Sequence, residues 1–296
     1  MKHLIVGPDG HGVTEYALQL ARATGADVIR EEAFTDRELP DEAVHVAFTD
    51  HLFGAGPAEA ADLLLSRVGR RPLSVSFHDV PQPEEGHDRY ERRAVAYRRL
   101  HEHAAISATN SDHEARFFGA TRVIRLPVPA IDAPFAPEPG TVGVLGFIYP
   151  GKGHEELIRA LQGSGRRLRF LGSVSPGHEA WARELAAHAE ITGWLTDDEL
   201  AQEMGRIEVP VCAHRHFSAS GSLMTWLGAG RNVLATDSDY TREIDAWLPG
   251  RITRVAGGAW RGAVEAFEPQ GTAPPADGGA EGAQEWEDAW RSAGLL

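Results

Sequence analysis

The sequence predicts two α/β domains of doubly wound type. Short β-type runs alternate with helical patterns along most of the chain, and a proline-rich stretch without periodicity interrupts that alternation near the middle. A length of 296 residues exceeds one ordinary domain of roughly 100 to 200 residues and suits two.

In the first half the β-type runs are HLIV (3–6), DVI (27–29), AVHVAF (43–48), PLSVSF (72–77), AAISAT (104–109) and TRVIRLPV (121–128). Helical patterns fall near Thr14–Thr24, over Glu91–His103 and from Ser111, where Glu114 completes a capping-box signature. The stretch PAIDAPFAPEPGT (129–141) reads as a linker. Beyond it come VGVLGFI (142–148), a helix over about His154–Leu161, LRFLG (168–172) and a helix Gly177–Ala189. EITGW (190–194), a helix Asp197–Met204, EVPVCA (208–213), a helix near Ser220–Ala229 and NVLAT (232–236) follow. The expected division is residues 1–132, residues 133–267, and a tail of residues 268–296. That tail begins with a Pro/Gly-rich, mobile linker and ends in a helix with Trp286 and Trp290 on one face.

Hydrophobic residues make up 42% of the chain and charged ones 24%, enough for each half to bury a core. A formal charge of −14 disfavours nucleic acid and anionic membrane surfaces, which attract clustered cations. The arginines between Arg89 and Arg99 alternate with Glu91 and apolar residues, as on a solvated helix face. The single cysteine, Cys212, leaves no internal disulfide or cysteine-based zinc cluster and fits a reducing compartment. The first apolar run stops at Gly7 and Pro8, short of a secretory h-region, and no run of about 18 apolar residues occurs. A cytoplasmic protein without a transmembrane segment is the expectation.

The stretch GFIYPGKGHEEL (146–157) nearly spells a P-loop, but Gly153 stands where a Ser or Thr must bind Mg²⁺. The next strand, LRFLG, ends without the carboxylate such enzymes use, so a P-loop triphosphatase is disfavoured. What remains is a tight turn with Lys152 at the mouth of a helix whose first N–H groups are unpaired, an anion site by its chemistry or else a surface turn with a solvated lysine. A second such start lies in HFSASGSLMTWLGAG, where Ser218, Ser220 and Ser222 surround Gly221 and exceed what helix capping needs. The turn with Gly7, Gly10 and Gly12 lacks the ordered dinucleotide fingerprint, so no bound cofactor is expected there.

In their order these parts resemble a GT-B glycosyltransferase, specifically the large retaining family 4 class. LGFIYPGKGHEELIRAL resembles the family's strand, G-R-L-x-x-x-K-G and helix, with Lys152 at the family lysine. EITGWLTDDELAQEM resembles its F-x-G segment and the following E-L helix, and GSLMTWLGAGRNVLATDSDYTREI its A-x-x-G-x-P-V run. The family's diphosphate arginine falls at Phe147, and its two E-x7-E glutamates fall on Phe217 and Thr225.

The resemblance implies two Rossmann-like domains facing across a cleft, with the acceptor on the first and a nucleotide-diphosphate sugar on the second. It implies retaining transfer to an acceptor hydroxyl, with His78 and Lys152 in the catalytic roles. Gly12, Lys152, Gly153, Ser218, Ser220, Gly221 and Ser222 would bind the donor, and His11, His214 and His216 are candidate contacts for acceptor or phosphate. Neither metal nor cofactor is called for, because the lysine and the helix N-terminus replace a divalent ion. A non-catalytic nucleotide- or sugar-binding protein, or one supporting a partner enzyme, is the alternative that the absent glutamates motivate. The plain reading of His78 is a neutral turn histidine. Asp237 and Asp239 spell D-x-D but are expected to cap the next helix, and Trp181, Trp194, Trp226 and Trp247 to be core or domain-packing aromatics, not sugar platforms.

Overall fold

The computed structural model describes residues 1–117, 119, 122–215, 218–274 and 280–296. The chain forms two compact units, Met1–Pro127 with Gly279–Leu296 and Val128–Gly278.

In the first unit β1 (Lys2–Val6) is followed by α1 (Gly12–Ala23), β2 (Asp27–Glu31), β3 (Val44–Phe48), α2 (Asp50–Phe53) and α3 (Pro57–Val68). Then come β4 (Leu73–Phe77), α4 (His87–His103), β5 (Ile106–Thr109), α5 (Asp112–Ala115) and β6 (Arg122–Val123). The sheet is parallel in the order β2-β1-β3-β4-β5-β6. Every residue of β3 and β4 is buried, as a parallel sheet covered on both faces requires. Helices α2 and α3 were not expected. Pro57 stands at the first position of α3, where its missing N–H costs no hydrogen bond.

In the second unit β7 (Glu138–Leu145) leads to α6 (His154–Leu161), β8 (Arg167–Leu171), α7 (Glu179–Leu185), β9 (Ala189–Ile191) and α8 (Asp197–Arg206). β10 (Ile207–Cys212), α9 (Gly221–Gly228), β11 (Val233–Thr236), α10 (Asp239–Trp247), β12 (Ile252–Val255) and α11 (Trp260–Glu265) complete it. This sheet is also parallel, in the order β12-β11-β10-β7-β8-β9.

The proline-rich stretch expected as a linker is partly a strand, because β7 starts at Glu138 and pairs with Ile207. Its preceding residues lie on helix glycines. A Cβ on Gly205 or Gly228 would overlap the carbonyl of Pro134 or Pro129. Of the tail expected to be mobile, residues 275–279 lie outside the described residues, while Thr272 N–H donates to the Gly230 carbonyl at 2.9 Å. The terminal helix α12 (Ala280–Ser292) belongs to the first unit. Its Trp286 and Trp290 are 1% exposed and donate to the Tyr16 hydroxyl and Ser74 Oγ at 3.0 and 2.9 Å. No helix among the described residues is long and apolar enough to cross a membrane.

Candidate functional site

Each sheet reverses its winding once, between β1 and β3 and between β7 and β10. In such sheets ligands bind at the carboxyl ends of the strands flanking the reversal. In the second unit these ends carry the turn after β7, with Lys152 and Gly153, and the start of α9, with Ser220, Gly221 and Ser222.

The two segments converge. A Cβ on Gly146, at φ 104°, would lie 2.5 Å from Lys152 Nζ and 3.6 Å from Ser222 Cβ. Gly153 takes a left-handed conformation as N-cap of α6, and a side chain there would overlap the Ala213 carbonyl beyond β10. That turn also accepts a hydrogen bond from Arg215 N–H at the Gly151 carbonyl, 2.9 Å. Lys152 is buried, and its Nζ donates to the Leu145 carbonyl at 3.3 Å and lies 5.7 Å from the Tyr149 ring centroid. Burial lowers its pKa to about 8, against a smaller upward pull from the Cys212 thiol. Burial pushes Cys212 up to about 12, while Lys152 and a hydrogen bond with Ser222 act the other way. No carboxylate among the described residues is within ion-pair distance of Lys152.

Ser220 caps α9, its Oγ accepting from Leu223 N–H at 3.3 Å. Ser218 is half-buried just before it. The first turn of the helix presents the Gly221 and Ser222 amides, and a Cβ on Gly221 would meet nothing within 4 Å. The position of the second family glutamate, Thr225, turns its hydroxyl to the Gly221 carbonyl at 2.8 Å.

The carboxyl edge continues as a floor of glycines, in which the Thr192 hydroxyl after β9 accepts from Gly172 N–H at 3.1 Å. β7, β8 and β9 are followed by Gly146, Gly172 and Gly193, with φ of 104°, 147° and 76°. A Cβ on Gly172 would stand 2.5 Å from the Gly146 carbonyl. At the far end is Trp194, 64% exposed, which is not the core packing the sequence suggested. Trp226 is fully buried, whereas Trp181 and Trp247 are half-buried. The exposure of Trp194 was not foreseen because it depends on how strands are ordered, although a T-G-W turn closing a strand is visible in the sequence.

The first unit places His11 and Gly12 at its own reversal, after β1, and His78 two strands over, after β4. His11 Nδ1 accepts from Val13 N–H at 3.3 Å, and Nε2 lies 3.1 Å from Nε2 of His51. Burial and His51 lower its pKa to about 4. A Cβ on Gly12 would meet nothing within 4 Å. His78, 4% exposed, contacts Ser76 Oγ at 3.1 Å through Nε2 and packs edge-on against Tyr16. Burial, then His11, lowers its pKa to about 3, so the ring is neutral. Asp79 follows at φ 50°, and Arg93 holds this turn through the Asp79 carboxylate and carbonyl at 2.8 and 2.6 Å.

Asp50, His51 and Asp79 offer ligand atoms within 4.8 Å of one another. Arg93 pairs with both carboxylates, at 3.0 Å for Asp50 and 2.8 Å for Asp79, so a dication would have to displace a buried guanidinium. Asp237 and Asp239 pair with Arg242, and Ser238, not an aspartate, caps α10. His214 is buried just beyond β10. His216 and Phe217 lie outside the described residues.

Two parallel sheets, each wound in both directions from its first strand, define a two-domain Rossmann-like α/β protein, here with the GT-B glycosyltransferase fold. Structures sharing it include HepE from Anabaena with UDP and glucose, at 18% identity and a TM-score of 0.69 over 98% of this chain and 95% of that one. AviGT4, a glycosyltransferase of avilamycin A biosynthesis, matches at 14% identity and 0.65 over 99% and 97%. WaaG, a glycosyltransferase of lipopolysaccharide biosynthesis, matches at 16% and 0.59 over 100% and 99%. No family model matches the sequence, and no curated protein matches it.

Proposed function

We propose that this chain is a glycosyltransferase whose second unit binds a nucleotide-diphosphate sugar and passes the sugar to an acceptor hydroxyl, with retention and without a divalent ion. The observation that carries this reading is the convergence of Lys152 Nζ and Ser222 on Gly146, which sets a cation and the amide end of α9 at one spot. Separating a diphosphate from an oxocarbenium-like sugar builds negative charge on the leaving group, and preorganised donors stabilise it. The fold's occurrence with UDP and glucose in HepE supports the same class of donor.

The nucleoside is proposed to lie along the glycine floor, with its base at Trp194. Neighbouring parallel strands are about 4.8 Å apart, so crossing from β7 to β9 spans about 10 Å, the scale of a nucleoside. His11 is proposed as a contact for acceptor or phosphate, Gly12 as a donor contact, and His78, a neutral hydrogen-bonding ring, in a catalytic role. His214 and His216 are candidate contacts for acceptor or phosphate, and the cytoplasm is the proposed setting. Thr225, engaged with a helix carbonyl where the resembling family holds ribose, motivates a second reading as a non-catalytic binder.

Thermal denaturation with UDP-, GDP-, TDP- and ADP-sugars, each with and without EDTA, tests the proposal. A donor at a hundred times its Kd should stabilise the protein by about 2.7 kcal/mol. EDTA should leave the shift unchanged and Lys152→Ala should abolish it. No response to any donor, or an equal response in the variant, would refute the donor site. Sugar transfer or slow donor hydrolysis favours the enzyme, and binding without any product favours the second reading.

A further inference from the structure

We propose that diphosphate binding at this site takes up one proton from solvent, onto Lys152 Nζ. The inference rests on the donor reading above and adds a linkage between donor affinity and pH.

The chain's choice of cation points to it. Of 29 lysines and arginines, only Lys2 and Lys152 are lysine. Lys2 is a partly exposed strand residue paired with Asp27 and Glu42 at 2.6 and 3.6 Å. At Lys152 the chain departs from its usual arginine at a buried position. A guanidinium stays charged at any working pH, whereas an ammonium gives up its proton when desolvated.

The surroundings favour that release. From β7 comes the Leu145 carbonyl, from the turn the Tyr149 ring, from α6 His154, from β10 Cys212 and from α9 Ser222. Cys212 is neutral because burial pushes it up to about 12. His154, 1% exposed with neither ring nitrogen hydrogen-bonded, is neutral because burial and Lys152 lower it to about 3. Arg215 and Glu155 at the outer turn pair with each other at 3.6 Å. Thus no anion among the described residues balances the ammonium in the free site, and Lys152, near 8, lies between those two neighbours. A diphosphate supplies the missing countercharge and returns Nζ to its charged form. The buffer acid loses the proton that the amine gains.

The expected consequence is that donor affinity falls about tenfold per pH unit once the pH exceeds the free amine's value. Proton uptake should approach one per donor near pH 9 and be small near pH 6.5.

Two measurements on the intact wild-type chain test this. With lysine labelled in its side-chain carbons, the NMR spectrum holds two residues, and Lys152 should titrate near 8 in the free protein. A value at or above 10 would overturn the inference whatever the donor. Calorimetry of UDP, GDP, TDP and ADP in Tris and in HEPES at pH 8.2 should then give a buffer-dependent enthalpy for those that bind. Binding with the same enthalpy in both buffers would overturn the inference and leave the donor reading intact. Binding by none of the four would overturn both. Lys152→Arg, which keeps its charge, should bind with an affinity that is flat from pH 7 to 9.5. A wild-type-like decline in that variant counts against the proposal.

Discussion

Trp194 is the residue at which the nucleoside placement can fail alone. Single exposed apolar side chains are common on protein surfaces, so exposure by itself assigns nothing. What singles out this indole is the run of three glycines leading to it from the lysine. Stacking of a base on an aromatic ring contributes about 1–3 kcal/mol. Trp194→Ala should therefore weaken UDP by about fivefold to 140-fold and leave inorganic diphosphate binding as in the parent. Its exposure, 64%, also predicts an unchanged thermal midpoint. Equal losses for UDP and diphosphate would place the indole near the phosphates instead, and no loss for either would remove it from the site.

At the scale of elements, α12 docks through hydrogen bonds to residues 216 and 270 positions earlier in sequence. Its two tryptophans stack at 5.4 Å and cover His3 and His45 of β1 and β3. Deleting a buried tryptophan side chain costs about 3–5 kcal/mol, and here Ser74 also loses a partner. Trp290→Ala should lower the first unit's urea midpoint by a matching amount. A first unit as stable as the parent would mean that α12 is only a loosely applied cover. The two tryptophans four apart made the helix legible in the sequence, but its docking partner was not, because spacing fixes a helix face and not what that face meets. Strands were legible where β-branched and aromatic residues dominate a short run, as in β3 and β4, despite His45, Ser74 and Ser76. β7 was cut short in the reading because Pro139 and Gly140 look like linker, whereas they lie in an irregularity of the β7–β10 ladder between Glu138 and Val142, where the Glu208 carboxylate accepts the Gly140 N–H. The lysine turn was legible from its glycines; the glycine floor was not, since it needs the order β7-β8-β9.

For the whole molecule, buried histidines link folding to pH. His3, His45, His78 and His154 are each 4% exposed or less. Burial is the main cause lowering them, to about 4 for His3, about 3 for His78 and His154, and well below the ordinary value for His45. The unfolded chain binds protons near pH 6.5 while the folded chain still excludes them, so stability is retained above that pH and lost as the pH falls toward 4. Each such histidine contributes a slope of about 1.4 kcal/mol per pH unit, and four approach about 5 kcal/mol per unit before carboxylates add theirs. Urea midpoints between pH 8 and 4.5 should be flat above pH 7 and fall steeply below 6. Neither ring nitrogen of His3 has a hydrogen-bond partner, so His3→Phe sacrifices no hydrogen bond and deletes one proton from the linkage. The variant's slope below pH 6 should be shallower by about one histidine's share. An unchanged slope would show that His3 is already protonated in the fold, and a curve flat down to pH 4.5 would show that these rings meet water.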